Sequence, residues 1–170
     1  TQSESKGGET FQSLCSKAGN RRIIIATFAS NIHRVQQIVD EAVHCGRKVA
    51  VSGRSMLNFV NAATRLGYLN VPDKMMIDLN DAQKYPPEMV TIITTGSQGE
   101  PMSALYRMAT GDHSQVTLGA KELVVLSSSP IPGNEKLIGR IINELIKNGV
   151  GVVRDPSLEV HVSGHAYSDE

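Results

Sequence analysis

The chain has 170 residues, 40% of them hydrophobic and 20% charged; a chain of that length buries roughly 70% of its unfolded surface and folds as one domain without staples. No apolar run approaches the roughly 18 residues of a membrane helix, and the apolar content is too high for general disorder, so a membrane span and a disordered chain are both excluded. With 17 basic and 17 acidic side chains the formal net charge is zero, which argues against nonspecific coating of nucleic acid. The charge is unevenly placed. Residues 1–70 hold nine Lys/Arg against four acids, read in the first instance as basic residues on solvated helix faces. Cys15 and Cys45 stand alone without a CxxC partner, and no basic segment leads into an apolar stretch at the N-terminus, so no secretory signal is expected and a reducing cytoplasm fits.

In chain order, Thr1 to Gly8 is polar and extended, and Thr10 can cap a short helix carrying Phe11, Leu14 and Cys15. A strand follows at Arg22 to Thr27. Ser30 or Asn31 then caps a helix whose apolar Ile32, Val35, Ile38, Val39, Ala42 and Val43 recur at helical spacing, stopped by Gly46. Lys48 to Val51 reads as a strand and Met56 to Leu66 as a helix closed by Gly67. Tyr68 to Glu88, with three prolines, offers only a short strand at Met75 to Ile77 and a helical turn at Asp81 to Lys84. Val90 to Ile93 resumes the strands, followed by a glycine-rich loop and a helix over Met102 to Met108 that Pro101 would start. Asp112 to Ala120 is either a strand or an edge loop. Glu122 to Leu126 is the most apolar strand, and Asn134 opens a long helix with Leu137, Ile138, Ile141, Ile142, Leu145 and Ile146 on one face. Short strands at Val150 to Val153 and Val160 to Val162 end the pattern. Apolar strands alternating with helices predict an α/β fold: a three-layer α/β/α sandwich with a mainly parallel, Rossmann-like sheet and right-handed crossovers, over residues 1–170 as a single domain.

A parallel sheet gathers its strand-end loops on one edge, where backbone N–H groups and helix N-termini can hold phosphate. Gly96-Ser97-Gln98-Gly99-Glu100-Pro101 has phosphate-loop ingredients without matching GxxxxGK[ST] or GxGxxG, and a tight strand-to-helix connection explains it equally well. Arg54 in Ser52-Gly53-Arg54-Ser55 places a cation at a helix N-terminus, against the dipole, which calls for an anion: either a bound phosphate or a carboxylate such as Glu100. The stiff Ser127 to Asn134 loop suits a ligand platform or a structural turn, with Asn134 as helix cap. His161 and His165 lie on a strand and in a loop, so their four-residue spacing does not make a metal pair. His165 follows Ser163-Gly164 beside the other anion loops, whereas His33, His44 and His113 read as surface residues. Met56, Met75, Met76, Met102 and Met108 read as core or cap positions. No HxHxDH, HExxH, Cys/His quartet or GxSxG elbow is present, so no self-contained catalytic centre or metal site is expected in these residues.

The strings Ile25 to Arg34, Val49 to Met56, Thr94 to Met102, Ser127 to Glu135 and His161 to Ala166, taken together and in this order, resemble the β-CASP domain of bacterial ribonuclease J. The resemblance implies a parent enzyme with two zinc ions, 5′-to-3′ exonuclease and endonuclease activity in rRNA processing and mRNA decay, and a flanking metallo-β-lactamase domain whose ligands this chain does not carry. It implies that His165 contacts the reacting phosphate as a catalytic residue, and that His161, Ser163, Gly164 and Ala166 cradle the RNA phosphate and its 5′-monophosphate. Arg54, Gly96 and Ser97 are expected along the RNA channel wall. The chain alone is expected to be inactive, and the parent to be a cytoplasmic homo-oligomer. The alternative is a stand-alone nucleotide or phosphosugar binding module, and within the family a DNA substrate stays open.

Overall fold

A computed structural model describes residues 14–28, 30–128 and 130–154 of the chain. Five strands, β1 (Arg22–Ala26), β2 (Lys48–Ser52), β3 (Val90–Thr94), β4 (Glu122–Leu126) and β5 (Gly151–Arg154), form one sheet in the order β2-β3-β1-β4-β5. Every pairing is parallel, with Ile24 beside Ile92 on one side and Val124 on the other. The three central strands β1, β3 and β4 are buried along their whole length. Their runs RIIIA, VTIIT and ELVVL are therefore near-continuously apolar instead of alternating, because both faces of a parallel sheet are covered.

The alternation of side chains along each strand divides the core into two. Ile23, Ile25, Val49, Val51, Leu123 and Val125 point to one face and meet Val35, Ile38 and Val60. These come from α1 (Ile32–His44) and α2 (Arg54–Arg65). Ile24, Ala26, Ile92, Val124 and Leu126 point to the other and meet Leu105, Met108, Ile141 and Leu145, from α3 (Ala104–Thr110) and α4 (Glu135–Lys147). Each fully buried Ile or Leu contributes about 1.5–3 kcal/mol relative to exposure. The first two helices thus cover one face of the sheet and the last two the other. The result is the three-layer α/β/α sandwich expected from the sequence.

Local chemistry sets the ends. Asn31 caps α1 by accepting the Arg34 N–H at 3.0 Å, and Ser103 caps α3 by accepting the Tyr106 N–H at 3.3 Å. The helix after the glycine-rich loop thus begins at Ala104, two residues later than the Pro101-Met102 reading, because a serine cap outcompetes the proline start. Residues 68–89 contain a single bridge, Met76 to Val49, and two 3-10 helices, Leu79–Lys84 and Pro87–Met89. Residues 112–120 form no strand. Asn134 stands at the start of α4 without capping it; its amide is used elsewhere. Among the described residues no helix is long and apolar enough to cross a membrane.

Three arginines of the basic N-terminal half are buried rather than spread over solvated helix faces: Arg22, Arg34 and Arg47. Arg22 pairs with Glu122 at 3.2 Å. The Arg47 guanidinium donates to the carbonyls of Val90 and Arg21, at 2.9 and 3.1 Å, so it ties loop and strand backbone together at the N-terminal edge of the sheet. Burial lowers its pKa, with Glu88 opposing. Arg34 donates to Gln37 at 2.9 Å. The two cysteines, unpaired by sequence pattern, are joined by a disulfide that fastens the helical residues 14–18 to the C-terminal end of α1.

Candidate nucleic-acid interface

Four strand-end loops lie along the C-terminal edge, those after β1, β2, β3 and β4. They are tied to one another. Gln98, in the loop after β3, is buried and accepts the Ile131 N–H at 2.8 Å and the Asn134 side-chain N–H at 3.3 Å. Asn134 is spent on this link instead of on capping α4. Gly99 supports it: a β-carbon there would stand 2.6 Å from the Leu137 backbone. The loop therefore seats directly on the first turn of α4, with φ +73°. Ser127 donates its hydroxyl to the Ala26 carbonyl at 3.0 Å, joining the β4 end to the β1 end.

On the other side of the switch in strand order, the ends of β2 and β3 border a cleft of about 800 Å³. Gly53 makes the close approach possible. Its φ is +102°, and a β-carbon would lie 2.7 Å from Thr95 Oγ1. Having no side chain, it leaves the α2 N-terminus without a side-chain cap, so the first N–H groups of that helix are open at the cleft. Arg54 and Arg107 line it together with Glu100 and Asp78. Among the described residues neither arginine makes an ion pair. The expected alternative for Arg54, a bridge to Glu100, is not formed. Each carboxylate is engaged with backbone instead: Glu100 accepts the Gln98 N–H at 3.2 Å and Asp78 the Asn80 N–H at 2.9 Å.

His113 enters the same cleft from the 112–120 loop. Its Nε2 lies 3.1 Å from Ser52 Oγ, and its Nδ1 accepts the Gln115 N–H at 3.1 Å. An accepting Nδ1 puts the proton of the neutral ring on Nε2, which donates to Ser52. The buried Ser52 hydroxyl keeps its own hydrogen for another acceptor. Burial lowers the His113 pKa, and Arg107 adds to the effect. His113 is thus half-buried and bonded across the cleft, not the surface residue its sequence setting suggests; 61 residues separate it from Ser52, and no local pattern carries that contact.

Of the expected channel residues, Arg54 is exposed and lines the cleft, while Gly96 and Ser97 are buried and do not line it. Gly96 serves close packing, since a β-carbon there would fall 2.6 Å from Ser103 Oγ and 2.8 Å from Leu105 Cβ. His161, Ser163, Gly164, His165 and Ala166 lie outside the described residues. Met102, read as a core or cap position, is 73% exposed at the cleft rim with φ +68°. Met56 and Met108 are core, and Met75 and Met76 half-buried.

The family described as ribonuclease J, beta-CASP domain, matches residues 20–145. Curated relatives named Ribonuclease J include those of Mycobacterium tuberculosis, 50% identical over 99% of the chain and 30% of that protein, and Helicobacter pylori, 44% identical over 100% of the chain and 24% of that protein. That of Thermus thermophilus is 46% identical over 88% of the chain and 26% of that protein. The chain therefore spans between 24% and 30% of the length of these three relatives. A parallel sandwich with its strand-end loops on one edge, and identities of this size over essentially its whole length, place the chain in the ribonuclease J β-CASP domain family.

Proposed function

We propose that this chain is the RNA-gripping domain of a two-zinc ribonuclease with 5′-to-3′ exonuclease and endonuclease activity in RNA processing and decay. It would clamp the phosphate backbone and 5′ end against a metal centre on a metallo-β-lactamase domain of the same protein. The observation that carries this is the 50% identity to a named ribonuclease in a chain whose strand-end edge offers a helix N-terminus without a side-chain cap and guanidinium groups, those of Arg54 and Arg107, that make no ion pair among the described residues. Those are phosphate-binding parts.

The described residues do not suit a zinc centre: no group of three or more His, Cys, Asp or Glu among them could hold a metal ion. The zinc ligands belong in this reading to residues beyond this chain. What the chain supplies is grip. Arg54 and the first N–H groups of α2 neutralise phosphate charge, and the Gln98 link holds the loops so that little ordering is needed on binding. By resemblance His165 contacts the reacting phosphate as a hydrogen-bond donor, with His161, Ser163, Gly164 and Ala166 around the 5′-monophosphate.

The test has two arms. Purified chain should bind 5′-phosphorylated single-stranded RNA without cleaving it in added zinc, and His165→Ala in a full-length protein carrying this domain should lower turnover with zinc content unchanged. RNA cleavage by the chain itself, or unchanged turnover of the variant, would sink the assignment. A preference for free nucleotides over RNA would favour the stand-alone binding module.

A further inference from the structure

We propose that the cleft between the ends of β2 and β3 is a subsite for one nucleoside monophosphate unit, with the phosphate held by Arg54, Arg107 and the Ser52 hydroxyl, and the base resting on Met102 and Leu57. The proposal deepens the RNA-gripping reading and rests on it. It assigns roles to Ser52, Arg107, His113 and Met102, none of which sequence patterns had marked as ligand-binding.

Four observations converge. First, size: about 800 Å³ lies inside the roughly 300–1,000 Å³ range of small-ligand sites. Second, unspent cationic capacity: Arg107 is half-buried and Arg54 stands at an open helix N-terminus, and neither has an ion-pair partner among the described residues although two carboxylates share the cleft. A guanidinium held near carboxylates that are turned to backbone N–H groups is placed for an external anion. Third, a directed hydroxyl: His113 donates to Ser52 and thereby aims the Ser52 hydrogen at an acceptor other than itself. His113 is a positioning residue here.

The fourth observation is the apolar rim. Met102 and Leu57 are exposed at 73% and 44% and line the cleft with Ile77 and Pro101. Met102 is one of two non-glycine residues with positive φ among the described residues, a conformation that costs on the order of 1–3 kcal/mol and persists where surroundings enforce it. A thioether and an aliphatic side chain held in the open beside phosphate-binding groups suit the face of a base. The balance of charge in the cleft is also informative. Arg54 and Arg107 are matched by Asp78 and Glu100, so inorganic phosphate gains little net attraction, whereas a nucleotide can also donate its ribose hydroxyls or base N–H groups to carboxylate oxygens. The same unit can come from within an RNA strand or from a free mononucleotide.

The test is an NMR titration of the 170-residue chain with uridine 5′-monophosphate, adenosine 5′-monophosphate, inorganic phosphate, and RNA oligonucleotides with and without a 5′-phosphate. Saturable shifts of the Ser52, Arg54 and His113 signals with the mononucleotides are expected. Arg54→Gln and Arg107→Gln should each weaken binding at least about tenfold. Arg65→Gln, about 16 Å away at the far end of α2 by helix rise, should not. Met102→Ala should weaken nucleotide binding and leave any phosphate binding unchanged. Shifts with both forms of RNA identify an internal nucleotide as the occupant, and shifts with mononucleotide alone identify a free one. Phosphate binding as tight as nucleotide binding, equal losses in Arg65→Gln and Arg107→Gln, or no saturable shift at the cleft would overturn the subsite. Wild-type RNA binding that persists undiminished in Arg54→Gln/Arg107→Gln would overturn it while sparing the domain's role; mononucleotide binding without RNA binding would remove the RNA-gripping role and spare the subsite, and binding of neither would remove both.

Discussion

A histidine and a glycine show how single residues shape the candidate interface. His113 sits neutral across the cleft with Nδ1 as acceptor, and its pKa lies below the ordinary value of 6.5 through burial and then through Arg107. The sign follows from linkage: with the folded-state pKa lowered, its stabilising contribution is fully present above pH 6.5 and is lost as pH falls through the folded value. A proton on Nδ1 would face the Gln115 N–H, with Arg107 adding repulsion. Urea-unfolding midpoints measured from pH ~7.5 to ~5 should fall more steeply for the wild type than for His113→Gln; parallel profiles would contradict this. Gly99→Ala is expected to cost about 2–3 kcal/mol, since the added carbon meets the Leu137 backbone at a positive φ. Equilibrium denaturation with a loss under about 0.5 kcal/mol, the ordinary surface range, would show that α4 yields instead.

At the scale of elements, strands and long helices were legible because their signals are local. The run Glu122 to Leu126, apolar after its first residue, matches β4 residue for residue, and the spacing of Ile138, Ile141 and Leu145 gives the buried face of α4. Residues 68–88 were poorly legible for the converse reason: 3-10 turns and a single bridge leave no period to read. Arg22 and Arg47 look like surface cations in any composition count, and only the fold shows the carbonyl and carboxylate partners that let them be buried. The cysteine pair is similar, since residues 30 apart give no spacing cue until α1 and the helical residues 14–18 pack together. Closing a loop of that length should contribute roughly 3–4 kcal/mol. Cys45→Ser, or reduction of the wild type, should therefore lower the unfolding free energy by that order in a guanidinium titration. A reduced protein as stable as the oxidised one would remove the tie from the account.

For the molecule as a whole, the parallel layered architecture and the gathering of loops on one edge were readable from four repeats of apolar strand followed by a polar loop, those of β1 to β4; the strand expected at Val160 to Val162 lies outside the described residues. Which loops touch was not. Gln98 meets Ile131 across 33 positions and His113 meets Ser52 across 61, and such contacts are set by strand order, which places β3 between β2 and β1. The resemblance to ribonuclease J supplied the family that the comparisons bear out, while Gly96, which it put on the channel wall, serves close packing within the loop. The central claim is that RNA lies along the C-terminal edge of the sheet. Photocrosslinking of the chain to 5′-phosphorylated RNA containing 4-thiouridine, with the adducts mapped by mass spectrometry, tests it most directly. The account predicts adducts in residues 52–57, 95–103 and 127–134. Adducts concentrated at the opposite edge, around Lys48 and Lys121, would contradict it.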